Sequence, residues 1–177
     1  MMTPRAAITG GEVWLRPFGH FAPKHQGFMG FSTAKIRDQF LSQIRDGAVV
    51  LIWTRQRGGE TGWKGCCRGI LQLTKRPALA SALSSINGNR LRNDSDSDFS
   101  HGVVAVRAWE MDSRDKHLMK TIAPSIWPGQ TQHIGHFSMR MKPSELPNIE
   151  HLRIREVSVF GQIPVVPGAF GEIKNVF

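Results

Sequence analysis

The stretch that most limits what this chain can become runs from Gly47 to Thr74, GAVVLIWTRQRGGETGWKGCCRGILQLT. An unbroken apolar run, Ala48 to Trp53, is followed by a polar, glycine-bearing turn from Arg55 to Gly62 and then by a second apolar run from Gly69 to Leu73. Two such runs around a cluster of turn residues predict a β-hairpin near the centre of a sheet.

The flanking sequence supplies further elements. Residues 1 to 11 read as a loose lead-in ending at Gly10-Gly11, and Glu12 to Pro17 predicts a short strand that alternates Val13 and Leu15 against Trp14 and Arg16. A loop from Phe18 to Phe31 interleaves His20, Lys24 and His25 with Phe18, Phe21, Phe28 and Phe31. Such a mixture can stack bases while neutralising phosphates, although a phenylalanine taken singly belongs in a core. Ser32 or Thr33 is placed to cap a helix through Asp46, closed by Gly47, with Ile36, Phe40 and Ile44 on its buried face.

Beyond the hairpin, Pro77 is expected to open a second helix, ALASALSSI, ended by Gly88. Residues 87–101 have the composition of a mobile loop. Within it Asp94, Asp96 and Asp98 imitate the start of a calcium loop, but the glycine and closing glutamate of that pattern are missing. Strands are predicted over Gly102–Met111, Gly135–Lys142 and Arg153–Phe160, with a helical turn near His117–Ile122 and Trp127 on a loop stiffened by Pro124 and Pro128.

A chain of 177 residues suffices for one domain, taken as residues 1–177. Lys plus Arg number 23 against 14 Asp plus Glu, a formal charge of +9. Such an excess attracts polyanions and makes nucleic acid the first partner to test. Cys66 and Cys67 are adjacent, a poor geometry for bridging each other, so both are expected as free thiols on opposite faces of a strand. With no apolar run long enough to span a bilayer and no secretory signal, a cytoplasmic protein is expected.

No catalytic signature stands out, and neither a cofactor nor a metal site is expected. His133 with His136, and Glu110, Asp112 and Asp115 beside Lys116, invite comparison with metal-dependent nucleases, the rival reading; a protein-interaction module is the third. Binding has the better case. Five tryptophans and no tyrosine, several of them flanking polar loops, suit an aromatic cage for a flat or methylated group. Trp53 and Trp109 fall within strands and are expected in the core.

Taken in order, EVWLRP, Gly30-Phe31-Ser32-Thr33, VVLIWT with Gly65-Cys66-Cys67-Arg68-Gly69-Ile70, Trp127 with Gly135-His136-Phe137-Ser138-Met139, Glu145-Leu146-Pro147-Asn148 and Gln162-Ile163-Pro164-Val165 cover most of the chain. That succession resembles the PUA-like superfamily, in particular its YTH and EVE readers of modified bases. The resemblance implies an α+β fold, a curved mixed β-barrel flanked by helices, that takes one flipped base of a single-stranded RNA or DNA into an aromatic cage, N6-methyladenine being favoured. Base-binding would fall to Phe31, Ser32, Thr33, Trp63 and Trp127, and phosphate-binding to Lys24, His25, Arg55, Arg57, Lys64 and Arg68. Gly30 or Phe31 stands where YTH proteins have a tryptophan, and the loop at 87–101 has no counterpart there.

Overall fold

The apolar run of the hairpin is dry on both sides because it separates two cores. In the computed structural model, which describes residues 1–18, 21, 27–56, 59–79, 100–126, 138–159 and 162–177, strand β3 (Val49–Thr54) is buried along its whole length. Val49, Leu51 and Trp53 enter one core while Val50 and Ile52 enter the other, as the two-residue period of a strand requires.

β3 pairs antiparallel with β4 (Cys67–Leu79), so the hairpin forms as expected, and parallel with β1 (Val13–Phe18), which aligns Phe18 with Thr54. A parallel neighbour needs a crossover. Here the connection carries strand β2 (Phe28–Phe31) and helix α2 (Ala34–Gln43), and α1 (Pro4–Thr9) precedes β1. The long strand β5 (His101–Met111) pairs with β4, with β2 near its start and with β7 (Arg153–Val157) near its end. β6 (Met139–Arg140) lies beyond β1, and β8 (Gly171–Glu172) beyond β7. The result is an α+β domain with a mixed eight-stranded sheet, ordered β6-β1-β3-β4-β5-β7-β8 with β2 beside β5. Among the described strands the sheet does not close into a barrel.

Helix α2 covers one face. Its Phe40 meets Trp14 edge-on at 5.4 Å and Phe31 at 5.3 Å, with Ile44 beside them over Val50 and Leu71. The other face is closed by α1, by α3 (Met119–Ile122), by a 3-10 helix (Pro143–Ile149) and by α4 (Ile173–Val176), which bring Ala7, Ile122, Ile149 and Ile173 onto Leu51, Ile70 and the fully buried Trp109. Trp53 and Trp109 are core residues, as expected. No described helix is long and apolar enough to cross a membrane.

Several expectations are corrected. The lead-in contains α1, started by Thr3 Oγ1 accepting from the Ala6 amide and by Pro4 at the first helical position. Phe28 to Phe31 is a buried strand and not loop. Helix α2 stops at Gln43, because Ile44 turns extended to drop its side chain into the core. Pro77 lies in β4, paired with Val103, where the β4–β5 register has shifted and a missing N–H is tolerated. Both cysteines are free and share one core, since Cys66 precedes the strand and escapes its alternation. The expected helix after Pro77, Asp94, Asp96 and Asp98, and the His133 and His136 pair lie, from residue 80 in the first case, outside the described residues.

Candidate nucleic-acid interface

The parallel register of β1 and β3 and the antiparallel start of β4 bring Phe18, Thr54 and Cys67 to one end of the sheet. The connection between β3 and β4 is moored there, with the Gly65 amide donating to the Thr54 carbonyl (2.8 Å) and the Cys66 amide to that of Trp63 (2.8 Å). Ile52 pairs with Gly69 but Trp53 with Cys67, so one extra residue, Arg68, bulges from the ladder. A bulge re-aims the side chain that it carries.

Arg68 is thereby held against Trp63, its guanidinium carbon 4.4 Å from the centre of that ring, with Phe21 farther off at 6.0 Å. Its Nε donates to Glu60 Oε2 at 3.0 Å. Gly69 makes room for this arrangement: a Cβ there would strike the Phe21 ring. Lys116 approaches Trp63 to 4.9 Å and donates from Nζ to the Gly62 carbonyl (2.8 Å), so the indole is flanked by two cations.

On the helix-covered face, Arg16 follows Trp14 by one strand period and is likewise buried, at 3% exposure. Its guanidinium lies 4.6 Å over Phe31 and 5.6 Å from Phe18, and Nη2 donates to the Gly30 carbonyl at 2.9 Å. Burial, and secondarily the charge of Arg55, pull its pKa down to about 10, which leaves it charged at neutral pH. Arg55 is partly exposed next to it, its amide donating to the Phe18 carbonyl, and Lys64 is exposed beside the bridge to Thr54.

The end of the sheet therefore unites Arg55, Lys64 and Arg68 from the expected phosphate set and adds Arg16 and Lys116. Phe31 and Trp63 belong to different cores on opposite faces, so they are not two walls of one slot, and each ring carries a cation. Ser32 is exposed, and Thr33 is exposed with its hydroxyl committed to capping α2 through the Ile36 amide (3.2 Å). Trp127, Lys24, His25 and Arg57 lie outside the described residues.

Sequence reasoning missed Arg16, placed Lys116 only in the nuclease-like cluster, and noted Phe21 among the loop aromatics without assigning it to the site. Arg16 had a signal, since an alternating strand puts it on the side of Trp14; the approach of Lys116 depends on tertiary packing alone. The nuclease-like acids are not gathered. Asp112 is held by Arg114 (3.1 Å) and Glu110 by Arg155 (2.5 Å), Asp115 lies 3.3 Å from His117 Nε2, and no group of three His, Cys, Asp or Glu among the described residues is placed to hold a metal ion. No family model matches the chain, and no curated protein or solved structure is significantly similar to it.

Proposed function

We propose that this protein binds single-stranded nucleic acid at the basic and aromatic end of β1, β3 and β4. The observation that carries the reading is Arg68, presented by a bulge against Trp63, with Lys116 on the same indole and Arg16, Arg55 and Lys64 at the same end of the sheet. A guanidinium backed by a ring keeps its outer face flat, and flat cations both stack bases and fork to phosphate oxygens. The formal charge of +9 adds long-range attraction and counterion release.

The finer reading is a PUA-like, YTH- or EVE-type reader of a flipped methylated base, N6-methyladenine being favoured. The order of sequence likenesses supports it, and the sheet is mixed as that fold requires, although it does not close into a barrel among the described strands. In that reading Trp127 and Phe31 wall the base; Phe31 is buried under the Arg16 guanidinium, so the base reaches its ring only once Arg16 swings aside.

The test is a fluorescence titration with eight short strands, RNA and DNA, each carrying adenine, N6-methyladenine, cytosine or 5-methylcytosine at one central position. One methylated strand binding at least about tenfold tighter, roughly 1.4 kcal/mol, is the expected result of the finer reading. Eight equal affinities that weaken together with salt keep the interface and discard the cage. Absence of binding overturns the proposal.

A further inference from the structure

Between β7 and β8 the chain runs from Gln162 to Ala169 as an exposed segment with neither helix nor strand. It is apolar as well as exposed: Ile163 and Val166 each show 89% of their surface. Side chains of that kind standing singly need no explanation, but here they follow a pattern. Pro164 and Pro167 are three residues apart, and so are Ile163 and Val166.

Three residues per turn is the period of the polyproline II helix, so the prolines form one ridge and the two aliphatic residues another. Pro164 and Pro167 have φ fixed near −65°, and Ile163 and Val166, each preceding a proline, are biased to the same extended region. Four of the five residues from 163 to 167 are thus restricted before any partner arrives. The middle one is tied down: the Val165 amide donates to Ser158 Oγ at 2.6 Å, and that hydroxyl donates back to the Val165 carbonyl at 3.3 Å. Further on, Phe170 lies under Arg155 at 4.5 Å and accepts at its carbonyl from Arg153 Nη2 at 3.2 Å. The segment is held at both points with its two ridges outward.

We propose that residues 163–167 are a docking segment for a protein partner whose groove is lined with aromatic rings and recognises polyproline II backbone with prolines three apart. Such grooves gain from a ligand that is already ordered, because little entropy is lost on binding. Nucleic acid is disfavoured here because Gln162 to Ala169 carries no charge.

The experiment titrates the labelled full chain with isolated SH3, WW and EVH1 domains as probes of this groove chemistry. At least one class is expected to bind with a micromolar Kd. The double variant Pro164→Ala with Pro167→Ala should weaken that binding at least tenfold, and so should Pro167→Gly with Gly168→Pro, which keeps the composition but breaks the spacing. Urea midpoints of both variants should stay close to the parent's, since the altered side chains are exposed and only the added entropy of the unfolded chain acts against them. Binding by none of the probes, or equal binding by the variants, overturns the proposal. So does a concentration-dependent dimer in sedimentation that Val166→Asp abolishes, because a second copy then covers the segment.

Discussion

Arg68 lies with its guanidinium 4.4 Å over the ring of Trp63 while its Nε donates to Glu60 at 3.0 Å, so one side chain ties the hairpin turn to the first residues of β4. A cation over an indole contributes about 0.5–2 kcal/mol depending on how far it is desolvated, and Arg68 is mostly covered. Arg68→Ala is expected to cost about 1–2 kcal/mol in urea unfolding. Arg68→Lys should recover only part of this, since an ammonium cannot lie flat on Trp63 and also reach Glu60. If Arg68→Ala unfolds at the parent midpoint, the stacked arrangement contributes nothing and Arg68 is free to move.

Gly69 and Phe21 share one volume. A methyl group at residue 69 would occupy the space of the Phe21 ring, whose displacement also removes the second ring near Arg68. Gly69→Ala should therefore destabilise by about 1–3 kcal/mol, the range for overpacking. Phe21→Ala should remove most of that penalty, so the double variant will be far from additive. A double-mutant cycle in urea measures the coupling; strict additivity would place Phe21 away from Gly69.

How legible this arrangement was depends on the range of the signal. The hairpin showed in Ala48 to Trp53 because two dry faces leave a strand no polar residue, and Trp109 was placed correctly because it falls within a strand whose alternation sends it inward. Strand β2 was hidden, since FMGF has only four residues and its partner on β5 is some seventy positions away in the chain. Helix α1 is little more than one turn, too short for periodicity, though Thr3-Pro4 carried a start signal. Pro77 misled because proline starts helices more readily than it enters strands, and the register shift that admits it is a tertiary event. At the site, Arg55, Lys64 and Arg68 were readable as basic turn residues. What could not be read was that Phe31 and Trp63 lie on opposite faces, because this follows from crossover topology and a one-residue bulge.

Cys67 gives a pH signature. Complete burial lifts its thiol from the ordinary 9.0 to about 12, with hydrogen bonds at Gly69 only partly opposing the shift. A group whose folded pKa is raised stabilises the fold fully below its unfolded pKa, and that contribution fades as pH climbs towards the folded value. Relative to Cys67→Ala, the parent should hold its urea midpoint at pH 7 and lose ground progressively as pH rises through the ordinary thiol pKa of 9.0. The same burial predicts no reaction of Cys67 with a charged disulfide reagent until urea is added. Parallel midpoint curves for the two proteins, or prompt labelling of Cys67 in the native state, would show an accessible thiol.

The exposed cations at the sheet end separate a phosphate track from a solvated rim. Arg55 and Lys64 carry no ion pair among the described residues with Glu60, whose carboxylate is taken by Arg68, so both are placed to meet phosphates. For single strands, each phosphate contact contributes about 0.7 to the slope of log K against log salt. Arg55→Gln and Lys64→Gln should each lower that slope by about this amount, and the loss should be the same for methylated and unmodified strands, because phosphate contacts carry no base information. Arg68→Gln should differ in kind. Since its guanidinium is proposed to stack on a base as well as attract phosphate, it should lower affinity by more than its effect on the slope accounts for. A slope unchanged by both Arg55→Gln and Lys64→Gln would move the strand to another part of the surface, and a purely electrostatic loss at Arg68 would leave the Trp63 platform without a role in binding.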